Sequence, residues 1–436
     1  MEWWSVLLII FGSLLGLMLI GLPVAFSFML INLIGVFIIW GVSGFQQLIL
    51  SIFESITFFA LLPVPLFLLM GEVLFRSGMG TRMIDALDVL LGRLPGRLSL
   101  IAVAGGVLNG VLSGNSWAST AMLGSLLAPE MEKRGYKKSM ILGPIMGSGG
   151  LAAIIPPSGL AVVLATLAKV SVGELLIAGL LPGLVMGALF AVYIIGICKI
   201  RPELAPTYEV PKLRLVERLM PTVKYVLPLG IIVFAVIGLM LLGWATPTES
   251  AVFGVLATFV LSAVYRKLNW QIVEQTFASV LINTTMIFII FCSSTAFSQI
   301  LAFLGATKGM VELAVNLPIP PLALLFCIMI VLLILGMFMD QMSIMMITLP
   351  ILMPVCHALK WNPIWFCLLI LINLTIANIS PPFGIQLFVM KGVSSPSTTM
   401  GDVYRAAIPF VILEVTAIVL IIFCPSLATW LPNILK

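Results

Sequence analysis

Apolar runs of roughly 17–25 residues, the length that crosses a lipid bilayer, follow one another along most of this 436-residue chain. Hydrophobic residues make up 61% of it and charged residues 9%, against about 25% charged in soluble domains. So few charges cannot cover a water-exposed surface. The chain therefore reads as an all-α polytopic membrane protein, and soluble enzyme classes are excluded. An intramembrane enzyme is excluded as well: His357 is the sole histidine, and no HExxH motif or Ser–His pair sits in a span. The net charge of +5 resides in loops and does not point to nucleic acid. Six cysteines without a CxxC pair indicate neither a metal site nor a disulfide framework, and read as small buried hydrophobes. Met1 to Ile20 lacks a basic n-region and a small-residue cleavage site, so it reads as a retained helix.

About ten spans are predicted. They lie near 3–20, 22–41, 59–75, 139–155 and 175–198, then near 221–242, 247–265, 284–303, 363–379 and 403–430. Two further apolar stretches are interrupted, 97–131 at Ser113-Gly114-Asn115-Ser116 and 319–357 at Met339-Asp340-Gln341. Both read as re-entrant helical hairpins. Segments 44–57, 82–93 and 268–281 mix charge with apolar residues and read as interfacial helices. With re-entrant hairpins, the basic residues divide 18 to 4 between the two sides. Basic loops stay cytoplasmic, so both termini are expected in the periplasm. The 97–131 hairpin then enters from the cytoplasm and the 319–357 hairpin from outside.

Sliding the sequence by 225 aligns its halves without gaps over about 120 residues: Gln46 meets Gln271, Gly80 meets Gly305, Pro95 meets Pro320, and Pro129 meets Pro354. Pro156-Pro157 meets Pro381-Pro382, and Gly159 meets Gly384. Most matches are helix breakers, which coincide by chance far less often than Leu or Ile in so apolar a chain. Each repeat has five crossings, so the second inserts upside down relative to the first. The division is 1–220 and 221–436, one hairpin in each. Inverted repeats with broken helices at the midplane are a signature of secondary transporters.

Chemistry concentrates at the breaks. A double proline ends a helix and frees carbonyls of the preceding turn. In a membrane such carbonyls are tolerated where they line a cavity or bind a ligand. Carbonyls, hydroxyls and one carboxylate are the oxygen ligands a hard cation such as Na⁺ takes. Asn115 falls opposite Asp340 at the offset of 225, and an intramembrane carboxylate costs about 2.5–3.5 kcal/mol on insertion scales unless compensated. The half-helices after the breaks present free N–H groups, which favour an anion. Other polar residues have local explanations. Glu72 sits one turn before Arg76 as a pairing partner. Thr246-Pro247-Thr248-Glu249 suits a helix start. Trp3, Trp4 and Trp430 suit an interfacial belt.

Leu112-Ser113-Gly114-Asn115-Ser116, the Pro129–Tyr136 run, Ile154-Ile155-Pro156-Pro157-Ser158, Ala245-Thr246-Pro247-Thr248-Glu249 and Ser380-Pro381-Pro382-Phe383-Gly384 together resemble the large membrane subunit of tripartite ATP-independent periplasmic (TRAP) transporters. The resemblance covers essentially the whole chain. It implies an elevator-type carrier, driven by Na⁺, for a small organic acid anion. It further implies a small four-helix membrane subunit, a periplasmic substrate-binding protein and residence in the bacterial inner membrane. Carried over residue by residue, it implies a first Na⁺ site at Ser113, Asn115, Ser116 and the carbonyls around Ile155 and Pro156. A second would use Met339, Asp340 and the carbonyls around Ile379 and Ser380. The substrate would lie between them, near Ser116, Ser158, Thr248 and Gly384. A related Na⁺/dicarboxylate symporter that works alone is the alternative. Trp117 departs from the small residue the family often carries there, and bears on substrate size.

Overall fold

The computed structural model describes residues 2–91, 94–113, 116–206 and 215–434, with the backbone alone at 91, 109–113, 215, 216 and 218. All regular structure among them is helical. The first half holds α1 (Trp3–Leu19), α2 (Val24–Trp40), α3 (Gly44–Ile56), α4 (Pro63–Arg76), α5 (Met79–Leu91), α6 (Arg97–Ser113), α7 (Ser116–Lys133), α8 (Lys138–Ile154), α9 (Gly159–Leu167) and α10 (Val172–Ile200). The second holds α11 (Leu215–Pro221), α12 (Leu227–Leu241), α13 (Pro247–Val264), α14 (Trp270–Phe303), α15 (Ala306–Asn316) and α16 (Pro321–Phe338). It continues with α17 (Gln341–Ala358), α18 (Pro363–Ile379), α19 (Ile385–Val393), α20 (Met400–Phe423) and α21 (Ser426–Ile434). Nine stretches among the described residues are long and apolar enough to cross a membrane, or ten if the pair α8 and α9, bent by 48°, counts as one. By length, α16 and α17 are two of them.

The helix bounds recur at the offset of 225. It carries α7 onto α17 and α8 onto α18 residue for residue, because the same breakers stand at the same places. Pro156-Pro157 and Pro381-Pro382 are both cis. One arm departs from the prediction. In place of an interfacial helix at 268–281 and a span at 284–303, α14 runs unbroken for 34 residues, about 51 Å at 1.5 Å per residue. The polar patch Asn283-Thr284-Thr285 contains neither Pro nor Gly and does not interrupt it. The first half does break here, between α3 and α4, and Pro63 and Pro65 begin α4. Phe288 and Ile290 occupy the corresponding positions of α14. The last predicted span, 403–430, ends early at Phe423, where Cys424-Pro425 separates α20 from α21. Pro425 has no N–H to continue the ladder.

Local expectations at two helix ends are met. Thr246 and Glu249 form a capping box with Pro247 in the first turn, and Arg76 Nε lies 2.7 Å from Glu72 Oε1. Four cysteines are buried as expected, while Cys327 and Cys424 are exposed.

Two helices form the centre. From Met140 to Ile154 in α8 and from Ile364 to Ile379 in α18, every residue is buried. A helix apolar all round belongs in such a position. They pack on each other, with α6, α7, α10, α16 and α20 around them. A second group joins α4 to α13 and α14, α2 to α14, and α12 to α13. Its outer faces carry exposed Phe26, Phe37, Phe234, Phe253 and Ile282, a surface suited to lipid and not to water. Contacts of α4 with α6 and α9, and of α15 with α17, link the two groups.

Polar contacts gather basic segments of the two halves. Arg76 Nη1 donates to Gln275 Oε1 at 3.1 Å, and Arg82 lies 5.4 Å from the centroid of the Tyr225 ring. Lys138 Nζ donates to Asp402 Oδ2 at 2.8 Å and to the Ser397 carbonyl at 2.7 Å.

Candidate ion and substrate site

Each hairpin's second arm packs against the post-proline helix of the other half: α7 against α19, and α17 against α9. With α8 beside α18, this crosswise packing brings both breaks and both tips into one region. Each tip also touches the broken helix of its own half. A Cβ built on Gly149 of α8 would meet the Ser116 carbonyl at 3.0 Å. At the corresponding place, Gln341 Nε2 donates to the Leu374 carbonyl of α18 at 3.1 Å.

At the first tip, Ser116 is buried and its Oγ has no hydrogen-bond partner among the described residues. Ser119, one turn on, is in the same condition. Ser113 ends α6 with its backbone alone described, and Asn115 lies outside the described residues. Trp117 is half-buried.

At the second tip, Met339 is extended (φ −128°, ψ 157°) and buried. Asp340 caps α17: its Oδ2 accepts from the Ser343 N–H at 3.1 Å and its Oδ1 from the Ser343 hydroxyl. Among the described residues no basic side chain forms an ion pair with it. The carboxylate keeps unused acceptor capacity, since each oxygen has about two lone-pair sites.

At the first break, Ile155 is extended and Pro156-Pro157 follow in cis. Ser158 Oγ donates to the Ala153 carbonyl at 2.6 Å and accepts from the Ala161 N–H at 3.1 Å. Pro157 has no N–H for that carbonyl, and the serine supplies the donor. The hydroxyl predicted to face substrate is thus engaged in closing its own break. At the second break, Ser380 Oγ donates to the Ile376 carbonyl at 2.7 Å, and the Gly384 N–H to the Ser380 carbonyl at 3.2 Å. A Cβ on Gly384 would sit 2.4 Å from the Asn378 carbonyl oxygen and 2.9 Å from that of Ser380. Only glycine admits this close turn of carbonyls.

Thr248 lies elsewhere. It is buried in the first turn of α13, a helix packed on α4 and α12, and Pro247 beside it approaches Gly173 at the start of α10.

Three residues of the interior were given no site role by the sequence. Asn378 is 1% exposed, and neither atom of its amide has a partner among the described residues. It sits in the last turn before Pro381-Pro382, and that position was its sequence signal. Glu414 of α20 is fully buried, with Thr375 Oγ1 3.4 Å from its Oε2 and, among the described residues, no partner at Oε1. A lone glutamate in an apolar run was the available sign. Gln386 of α19 is fully buried and bonded to the first half; no local pattern announces it.

Residues 11–427 match the family described as tripartite ATP-independent periplasmic transporter, DctM component. The C4-dicarboxylate TRAP transporter large permease protein DctM of Pseudomonas aeruginosa is 31% identical over 389 residues, covering 89% of this chain and 90% of that protein. The ectoine TRAP transporter large permease protein TeaC of Halomonas elongata is 29% identical, covering 98% and 99%. Among solved structures, the YdaH transporter of Alcanivorax borkumensis superposes with a TM-score of 0.61 at 15% identity, covering 88% of this chain and 90% of that one. MtrF of Neisseria gonorrhoeae gives 0.62 at 14%, covering 90% and 85%. At that identity the likeness concerns the fold alone.

Proposed function

The chain belongs to the DctM component family of tripartite ATP-independent periplasmic transporters, and on that premise we propose that it is a large permease subunit importing a small organic anion across the bacterial inner membrane with Na⁺ as the coupling ion. Names of relatives, which include a C4-dicarboxylate permease, an ectoine permease and a 2,3-diketo-L-gulonate permease, support a small polar solute. Na⁺ is cargo here, carried with the substrate.

The observation that carries the reading is the crosswise packing of two tips and two proline breaks, lined with buried oxygens that lack partners. Leaving a buried polar atom unpaired costs about 1–3 kcal/mol, so such a cluster is the chemistry of a ligand site. The first Na⁺ would take Ser113, Asn115 and Ser116 with carbonyls around Ile155 and Pro156. The second would take Met339, Asp340 and carbonyls around Ile379 and Ser380, joined by Asn378. The anion would lie between them, beside Ser116 and Gly384, with bound Na⁺ supplying positive charge. Ser158 takes a capping role in this reading, and Thr248, in the first turn of α13, stands apart from the anion.

Re-entrant hairpins and inverted halves follow in the same proposal, with the units at 1–220 and 221–436. The clustering of Arg76, Arg82, Lys138 and their partners supports one basic face, which the positive-inside tendency places in the cytoplasm. Both termini then face the periplasm. The tip-bearing group around α8 and α18 would move as an elevator against the group of α2, α4, α13 and α14. A small membrane subunit would enlarge that static group, and a periplasmic binding protein would deliver substrate.

Reconstitution tests this directly. With the small subunit and binding protein present, an inward Na⁺ gradient is expected to drive uptake of a C4-dicarboxylate or related anion. Replacing Na⁺ by choline should abolish uptake, as should omitting the binding protein. Full uptake without Na⁺ removes the coupling ion, and full uptake without the binding protein supports a carrier that works alone. A cysteine placed at Lys137 should be labelled from the cytoplasmic side; labelling from outside only reverses the orientation.

A further inference from the structure

Gln386 is fully buried at the second position of α19. Its Nε2 donates to Thr120 Oγ1 of α7 and to the Met146 carbonyl of α8, both at 2.6 Å. A carbonyl can only accept, so the bond to Met146 fixes which end of the amide is nitrogen. Both N–H groups are therefore engaged with the first half, while the residue itself belongs to the second. Its Oε1 is buried and has no partner among the described residues.

The three elements meet at Gly149. A Cβ there would lie 2.3 Å from Gln386 Nε2, 2.4 Å from Thr120 Oγ1 and 3.0 Å from the Ser116 carbonyl. The missing side chain is what lets the amide reach across. Around this point the hydroxyls of Ser116 and Ser119 also lack partners. The residue corresponding to Gln386 in the first half is Ala161, so no equivalent bridge exists at the other tip.

We propose that Gln386 is a positioning residue for the first cation site, holding the start of α7 against α8 from the opposite half and offering Oε1 as an oxygen to a small monovalent cation bound beside Ser116. This rests on the Na⁺-coupled reading above. The bridge ties the first site to α19, the helix that follows the second break. A cation at the first tip therefore orders the second half as well, and the coupling runs through a side chain rather than through the repeat symmetry.

The test measures the Na⁺ concentration that half-saturates uptake separately from the maximal rate, in proteoliposomes holding the complete transporter. Gln386→Leu keeps the volume and removes both bonds and the acceptor. Half-saturating Na⁺ is expected to rise about tenfold, the order of one hydrogen bond to a charged group, with the rate recovering at high Na⁺. Thr120→Val removes one acceptor of the amide and is expected to raise it about threefold. Thr120→Ser, which keeps the hydroxyl, should match the parent. Unchanged half-saturation in a folded Gln386→Leu overturns the assignment. Should that variant not fold, equal Na⁺ dependence in Thr120→Val and Thr120→Ser overturns it. A parent protein indifferent to Na⁺ sinks the proposed function itself, which is a distinguishable result.

Discussion

At the first proline break, Ser158 donates to the carbonyl of Ala153, and residues 151–160 are all buried. At the second, the corresponding residues are Phe383 and Asn378, and Pro382 and Phe383 are exposed. The phenylalanine has nothing to donate, and its ring lies 5.4 Å from that of Phe338, next to the second tip. The serine's task is thus vacant at the second break, where Pro382 supplies no N–H to the Asn378 carbonyl. There Asn378 also holds an amide without partners, with Asp340 on the tip of the same half. One backbone device has two electrostatic fillings. The first break closes upon itself, and the first tip beside it takes its extra polar reach from Gln386 in the other half. The second stays open and carries its own charge. Equivalent folds thus do not give equivalent sites, and substitutions at matched positions should have unequal effects.

The largest effect is expected at Asp340. Asp340→Ala removes the carboxylate, and Na⁺-driven uptake should fall about 100-fold or more, the order of losing one partner of a buried charge interaction. The melting temperature should fall by no more than the degree or two that one lost cap costs, far too little to account for the loss of uptake. Unaltered Na⁺ dependence in this variant would take Asp340 out of the ion site and erase the electrostatic contrast between the tips.

Asn378→Ala comes next. Removing an amide oxygen from a cation is expected to raise half-saturating Na⁺ about tenfold. Ala153→Asn, the mirror change, should confer no gain in Na⁺ affinity, because the first break is already closed by Ser158. Equal responses at the two positions would mean that the breaks are alike after all. Phe383→Ser sharpens the same point by giving the second break the donor that closes the first. Half-saturating Na⁺ should rise about threefold as the Asn378 carbonyl acquires a competing partner; a fall instead would show that this carbonyl takes no part.

Much of the architecture was legible because apolar length and helix breakers are local signals. Pro156-Pro157 and Pro381-Pro382 mark where α8 and α18 end, and the breaks at Ser113-Gly114-Asn115-Ser116 and Met339-Asp340-Gln341 mark where α7 and α17 begin. The continuity of α14 was not legible. Asn283-Thr284-Thr285 looks like a boundary, yet polarity alone does not stop a helix, and the decisive fact was the absence of Pro63 and Pro65 equivalents. The site divided in the same way. Asp340 stood out because a charge in an apolar run is costly. Ser158 was recognised as important, but whether its hydroxyl faced a ligand or the Ala153 carbonyl depended on the turn geometry. Gln386 was invisible because its partners stand 266 and 240 residues away in the chain, and only the crosswise packing of α7 on α19 brings them together.

The smallest effect is expected at Ser158, and it decides what that residue does. Ser158→Ala removes the bond to the Ala161 N–H that begins α9 and the donor to Ala153. Loss of a helix cap costs about 0.5–2 kcal/mol, so the melting temperature should fall by about 1–2 °C, at about 1 °C per kcal/mol in a chain of 436 residues. Substrate and Na⁺ half-saturation should both stay within about twofold, the range left when a neutral bond distant from the ligand is lost. Were Ser158 a substrate ligand, the substrate value would rise while the melting temperature held. The two readings therefore move opposite observables. Ser158→Thr, which keeps a hydroxyl on the same carbon, should restore the melting temperature if the role is capping. At the second break the matched change, Phe383→Ala, removes no donor and should leave the start of α19 as stable as before. A loss of stability there would show that the Phe338 and Phe383 ring contact, rather than a cap, holds the second break in shape.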